Sequence, residues 1–233
     1  MSRTLLAVSQ REDTNNYGAC IDSLENNYVE YLEGFGAHLV IIPNCTSDVG
    51  AYFDLPIKGI VLTGGNTINP ELYGEDACTY RSVSKKRDSV EAALMNIAIE
   101  KKIPVFGICR GMQFINIFFG GSLVMDLKKE KGKYGHVAAT HTITIIENSC
   151  VNCGHNTTFS VNSYHDQGML CENIADGLRV FAEAEDGVIE GIFHPQYAIA
   201  GIQWHPERSF SDSYFDKKII KTFMFCKAHG KKL

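Results

Sequence analysis

The sequence predicts an α/β fold built on a mostly parallel central sheet, and three observations carry that prediction. Short apolar, β-branched runs alternate with amphipathic helical stretches through the first half of the chain. Several of these runs stop at glycine or proline, as strands do where they hand over to a turn. Beyond Gly121 the texture changes to strand after strand with little helix between, which adds an antiparallel region.

Taken in order, Thr4–Val8 is an apolar first strand. Residues 22–33 carry a helical pattern (Leu24, Tyr28, Tyr31, Leu32) closed by Gly34 and Gly36. A β-branched strand over 38–42 stops at Pro43, and another over 58–62 stops at Thr63-Gly64-Gly65. Lys85–Lys101 reads as an amphipathic helix with Val90, Ala93, Leu94, Ile97 and Ala98 on one face. Residues 103–108 form the most continuous apolar strand, and the helical pattern of Met112, Phe114, Ile115, Phe118 and Phe119 follows at once. Strands are then expected over 140–146, 158–161, 179–185, 188–194 and 198–204, with Asp186-Gly187 as a hairpin turn. A last helix is expected over 212–228. The βαβ alternation implies a sheet covered by helices on both faces. No repeat or linker interrupts the chain, so residues 1–233 are read as one domain.

Composition narrows the function. The chain has 233 residues, 45% of them apolar and 21% charged, with a net charge of -5. Those values suit a soluble globular protein and argue against a nucleic-acid surface; the basic end, residues 227–233, reads as a solvated tail. No stretch approaches the roughly 20 apolar residues that cross a bilayer, and the short apolar N-terminus reads as a strand rather than a leader. Eight cysteines without the density of a disulfide scaffold suit a reducing cytoplasm.

Cys109 is the residue that points to chemistry. It sits in Gly107-Ile108-Cys109-Arg110-Gly111-Met112-Gln113, between a strand and a helix, with a glycine two residues away on either side. That is the pattern of a nucleophile elbow, where a tight turn exposes the side chain and the helix N-terminus favours the thiolate. Cys20, Cys45, Cys78 and Cys226 lack this setting and are read as buried or idle thiols. A thiol nucleophile needs a base and an oxyanion hole. Gly201-Ile202-Gln203-Trp204-His205-Pro206-Glu207 ends a strand and sets His205 and Glu207 two residues apart across a rigid proline, so that Glu207 can orient the imidazole. Gly64 and Gly65 end a parallel strand where α/β proteins bind ligands. A backbone N–H there, with that of Arg110, supplies two oxyanion donors.

Cys150-Val151-Asn152-Cys153-Gly154-His155 has the spacing of half a zinc site, with Cys171 in range as a further ligand. No second Cys-x-x-Cys completes it, and the surrounding residues read as a loop, so no metal is assigned.

These motifs, together with Asn69-Pro70-Glu71-Leu72-Tyr73-Gly74, resemble the class I glutamine amidotransferase-like proteins, in particular the free-standing γ-glutamyl hydrolases typified by γ-glutamyl-γ-aminobutyrate hydrolase. The resemblance runs from the first strand to about Phe210. It implies a flavodoxin-like sheet, Cys109 as nucleophile, His205 as base and acid, Glu207 as orienter, and Gly65 and Arg110 as oxyanion donors. It also implies glutamyl recognition by Gly64, Gln113 and the strand through Asn162, Ser163, Tyr164 and His165, partly by backbone. The substrate is then a small γ-glutamyl conjugate, hydrolysed by water with no cofactor, no metal, and no nucleic-acid or membrane partner; a homodimer is left open. Thr67, Asn69 and Asp166 depart from the family pattern on the leaving-group side. The chain as a whole is also similar to the γ-glutamyl-CDP-amidate hydrolases of capsular phosphoramidate biosynthesis. Arg81, Lys85, Lys86 and Arg87 form a basic stretch that a pyrophosphate or plain solvent would suit. The same motifs serve two rivals, a glutaminase subunit delivering ammonia to a separate synthetase and a non-catalytic binding protein on this fold.

Overall fold

A computed structural model describes residues 4–76, 82–146, 156–208 and 213–225. The strands in chain order are β1 (Thr4–Val8), β2 (Arg11–Thr14), β3 (Cys20–Ser23), β4 (Ala37–Ile41), β5 (Ile57–Leu62) and β6 (Val105–Ile108), then β7 (Ala139–Ile145), β8 (Thr158–Ser163), β9 (Arg179–Ala184), β10 (Ile189–Phe193) and β11 (Ile199–Ile202). The helices are α1 (Asn26–Glu33), α2 (Lys85–Lys101), α3 (Arg110–Phe118), α4 (Leu127–Lys131) and α5 (Ser213–Ile220).

Nine strands make one sheet in the order β4-β1-β5-β6-β11-β10-β9-β7-β8. The pairings from β4 through β11 are parallel, and those from β11 through β8 are antiparallel. This is the flavodoxin-like glutamine amidotransferase fold, with helices on the sheet and the added antiparallel strands that the sequence predicts.

Alternation along the central strands builds two cores. Leu6, Val8, Val61, Phe106 and Ile108 face one side, where they meet Tyr28 and Leu32 of α1 and Phe215 and Ile219 of α5. Ala7, Ile60, Leu62 and Val105 face the other, where Val90, Leu94 and Met95 of α2 and Met112 and Ile115 of α3 cover them. Each such large side chain taken from water contributes about 1.5–3 kcal/mol. Because α3 lies directly on the sheet, Gly111 has no room for a side chain: a Cβ there would fall inside the Leu62 carbonyl group.

Four sequence expectations change. The helix expected over 22–33 begins at Asn26, because Cys20–Ser23 pairs with Arg11–Thr14 as a separate antiparallel hairpin. The apolar face expected of α2 is partly ionic: Arg87, Asp88 and Glu91 are buried, whereas Ala93 and Ile97 are only half-buried. Helix α4, a single turn capped by Asp126, has no expected counterpart. Of the last expected helix, the described part is α5 and a wider turn over Lys221–Phe225. Among the described residues, no helix is long and apolar enough to cross a membrane.

Candidate active site

Cys109 joins β6 to α3 with φ 53° and ψ -109°, a backbone conformation that side chains other than glycine rarely adopt. Such a conformation costs about 1–3 kcal/mol and persists only where its surroundings enforce it. Here the Cys109 N–H donates to the Ile202 carbonyl at 2.8 Å, and the Cys109 carbonyl accepts from the Gln113 N–H at 3.2 Å. The residue is 8% exposed and forms the N-cap of α3, so the positive end of that helix dipole lies beside the sulfur.

His205 follows β11 and is buried. Its Nδ1 lies 2.6 Å from Oε1 of the buried Glu207, across Pro206. The Cys109 side chain lies close enough to act on the charge of the imidazole. Burial works against a charge on His205, but Cys109 and Glu207 together outweigh it and push its pKa up to about 10. Cys109, His205 and Glu207, which the sequence separates by up to 98 residues, are thus brought close together, with His205 and Glu207 hydrogen-bonded.

The Gly-Gly loop faces these residues. A Cβ on Gly64 would lie 2.9 Å from His205 Cε1 and 3.7 Å from Cys109 Cβ. The Gly64 N–H is already used, donating to the Tyr28 hydroxyl at 2.9 Å, and that hydroxyl lies 3.5 Å from His205 Nδ1. Neither the Gly65 nor the Arg110 N–H has a hydrogen-bond partner among the described residues. Behind the loop, Arg87 donates to the carbonyls of Gly64 at 2.9 Å and Thr63 at 2.6 Å. A trans peptide sets N–H opposite C=O. With the Gly64 carbonyl turned to Arg87, the Gly65 N–H is aimed away from it.

Arg87 is held in turn by Glu91 at 2.9 Å, and Glu91 accepts from Ser9 Oγ at 2.7 Å and pairs with Arg110. Arg110 also pairs with Asp88 at 2.5 Å and donates to the Asn66 carbonyl at 2.9 Å. Burial raises the carboxyl pKa of Glu91, but the two guanidiniums and Ser9 more than offset it, leaving the pKa below the ordinary value. This buried network corrects the reading of Arg87 as part of an exposed basic stretch. Lys85 pairs with Glu71 at 2.7 Å and Lys86 with Glu12 at 3.4 Å, while Arg81 lies outside the described residues.

The expected glutamyl contacts divide. Gln113 spends both amide hydrogens inside the protein, on the Gln167 carbonyl at 3.0 Å and Gln203 Oε1 at 3.2 Å. Asn162 grips the main chain at His205 and Arg208. Ser163 donates to the His136 carbonyl at 2.8 Å. His165 turns inward, with Nδ1 2.9 Å from the Gln167 carbonyl. The side chains of Asn162, Ser163 and His165 therefore serve the protein interior, and only backbone groups of this strand end remain for a ligand. Tyr164 is the exception: it is 39% exposed, meets the His205 ring edge-on, and carries the Arg208 guanidinium 4.6 Å above its ring.

Two site residues went unread in the sequence. Gln203 donates to Cys109 Sγ at 3.5 Å, and its place in the strand two residues before His205 was the available signal. Tyr28 passed as a core residue, and only its hydroxyl marked it as more. Cys150, Cys153 and His155 lie outside the described residues; Cys171, Cys20 and Cys45 are free and exposed.

The family model described as Peptidase C26 matches residues 4–207. A glutamine amidotransferase-like protein of Lactococcus lactis is 32% identical over 206 residues, covering 84% of this chain and 86% of its own. The γ-glutamyl-γ-aminobutyrate hydrolase of Escherichia coli O157:H7 is 28% identical over 229 residues, covering 91% and 89%. The crystal structure of a glutamine amidotransferase from Thermotoga maritima superposes with a TM-score of 0.61 over 96% of this chain and 83% of its own, at 13% identity, a likeness of fold.

Proposed function

The chain belongs to the Peptidase C26 family, and from that premise we propose that it hydrolyses the γ-glutamyl amide bond of a small conjugate through a Cys109 thioester. The observation that carries the reading is the pairing of a charged His205 with Cys109 at a strained elbow. That pairing sets a thiol beside the base that a cysteine nucleophile needs.

The reaction proceeds in two halves. The Cys109 thiolate attacks the γ-carbonyl, and the new C–S bond places negative charge on the carbonyl oxygen. The Gly65 and Arg110 N–H groups receive that charge. As the C–N bond breaks, His205 gives its proton to the leaving nitrogen. Acylation removes the sulfur's charge, one of the influences that keep the pKa of His205 high, so the imidazole becomes a better base at the moment it is needed. It then takes a proton from water, which attacks the thioester and releases glutamate and the thiolate. Glu207 keeps Nδ1 protonated and oriented throughout. Backbone groups at the end of β8 and the face of Tyr164 hold the glutamyl part.

For the leaving group the specific candidate is γ-glutamyl-CDP-amidate, which rests on the resemblance of the sequence alone. Lys85 and Lys86 would have to leave Glu71 and Glu12 to meet its phosphates. The test is glutamate release from glutamine, γ-glutamyl-γ-aminobutyrate and γ-glutamyl-CDP-amidate, with wild type and Cys109→Ala. Release from at least one conjugate in preference to glutamine, abolished in Cys109→Ala, is expected. Equal release by the variant contradicts the reading, and vigorous turnover of glutamine alone turns it toward a glutaminase.

A further inference from the structure

A second buried constellation lies away from Cys109, on the antiparallel half of the sheet. Glu190 of β10 is fully buried, and both of its carboxylate oxygens lack a hydrogen-bond partner. Three histidines surround its Oε1: His141 Nε2 of β7 at 3.3 Å, His165 Nε2, just past β8, at 3.5 Å, and His136 Nδ1, just before β7, at 3.9 Å. All three of those nitrogens are also without a hydrogen-bond partner. Donor atoms of His136, His165 and Glu190 lie within 4.8 Å of one another, and the ring of His136 is 4.9 Å from that of His141.

The spacing separates two explanations. A direct charge-assisted N–H···O bond draws its atoms to about 2.7–2.9 Å, and the His205–Glu207 pair of this same molecule sits at 2.6 Å. The cluster is more open than that. Zinc bonds to nitrogen and oxygen of about 2.0–2.2 Å set tetrahedral donor atoms roughly 3.3–3.6 Å apart; His165 Nε2 stands from Glu190 Oε1 at 3.5 Å, within that range, and His136 Nδ1 at 3.9 Å, just outside it.

The far sides of the rings agree. His136 Nε2 faces Asp186 Oδ2 at 3.1 Å, and His165 Nδ1 faces the Gln167 carbonyl at 2.9 Å. An acceptor stands behind each of these two rings, and the other nitrogen of each is turned toward the carboxylate. Carboxylate or carbonyl backing of this kind is what orients metal-bound histidines.

We propose that His136, His165 and Glu190 hold a zinc ion through three protein ligands, with His141 beside the carboxylate. The nitrogen-rich, single-carboxylate donor set suits zinc among the common ions. Its consequence for catalysis is indirect. The ion would tie the segment before β7, β10 and the segment past β8 together just beyond Asn162 and Tyr164, both of which touch His205. The Gln167 carbonyl, shared by His165 and Gln113, is a second link to the active site.

The test uses the full chain produced in zinc-supplemented medium, with zinc per chain measured by mass spectrometry after gel filtration, and cobalt(II) replacing zinc for spectroscopy. About one zinc per chain is expected, lost in Glu190→Gln and His136→Gln. Asp186→Asn should weaken binding by about 10–100-fold, as changes behind a metal-bound histidine do. The cobalt protein should show tetrahedral ligand-field bands without a thiolate-to-cobalt charge-transfer band. Absence of both zinc and a cobalt spectrum, a thiolate band, or undiminished zinc in Glu190→Gln would overturn the site. If the variants fail to fold, the wild-type cobalt spectrum decides by itself: nitrogen–oxygen tetrahedral bands uphold the site, and a thiolate band or no band rejects it.

Discussion

Asn162 holds His205 from both ends of its residue: its Oδ1 accepts the His205 N–H at 2.9 Å, and its Nδ2 donates to the His205 carbonyl at 2.7 Å. The two residues belong to the antiparallel and parallel halves of the sheet, so this clamp fixes the imidazole relative to the strand end proposed to bind glutamate. Glu207 orients the ring, and Asn162 fixes the backbone that carries it.

Asn162→Ala leaves a buried donor and a buried acceptor of His205 unsatisfied, at about 1–3 kcal/mol each. Thermal denaturation should show a Tm lower by roughly 2–4 °C per kcal/mol for a chain of this size. Since Asn162 acts through His205 and not on substrate, kcat should fall more than KM rises. A large KM change at constant kcat would assign Asn162 to substrate binding instead.

Gly64→Ala tests the closeness of the loop to His205 and Cys109. The added methyl would press on His205 Cε1 and the Tyr28 hydroxyl, each 2.9 Å away. A displacement of about 1 Å in such a site can cost about 100-fold in rate. A comparable loss in kcat is expected with the circular-dichroism spectrum unchanged; near-normal turnover would mean the loop stands farther from His205.

The pH dependence follows from His205. With its pKa at about 10 beside Cys109 and Glu207, the free enzyme keeps its proton donor through neutral pH. The alkaline limb of kcat/KM, which reports the free enzyme, should therefore fall near pH 10. In Cys109→Ala the sulfur's contribution is gone, burial opposes only Glu207, and the His205 titration followed by NMR should move down. An alkaline limb near pH 7, or an unmoved titration, would refute the ion pair.

Glu91→Ala removes the carboxylate that Arg87 and Arg110 share in the interior. Leaving buried charge uncompensated costs about 3–5 kcal/mol. Denaturant titration should find a loss of that size, accompanied by lower activity because Arg87 no longer anchors the Gly64 carbonyl. A loss below about 1 kcal/mol would show that the network is not what holds the loop.

That network also marks how far the sequence could be read. The bounds of α2 were legible because its apolar residues repeat at helical spacing and the stretch is well delimited, Ser84 accepting the Arg87 N–H. Its buried charges were not, since Arg87, Asp88 and Glu91 become core residues only by meeting Arg110 and the loop carbonyls, all distant in sequence. The β2–β3 hairpin was missed because its strands are polar and largely exposed, with no apolar alternation to reveal them. At the site, Cys109 and the His205–Glu207 pair stand out by local pattern. The strand through Asn162, Ser163 and His165 was read as binding the glutamyl part, partly by backbone; the register of β8 and the buried partners waiting for them turn those side chains inward and leave the backbone for that role.

The most direct measurement of the central claim is labelling by a glutamine-like chloroketone or diazoketone, mapped by peptide mass spectrometry. A γ-glutamyl-accepting thiolate at the elbow predicts a single adduct on Cys109 among the eight cysteines of the chain, formed in step with loss of glutamate release and blocked by a γ-glutamyl substrate. Loss of activity with the adduct on any other cysteine, or full activity with Cys109 modified, would contradict the assignment of Cys109 as nucleophile.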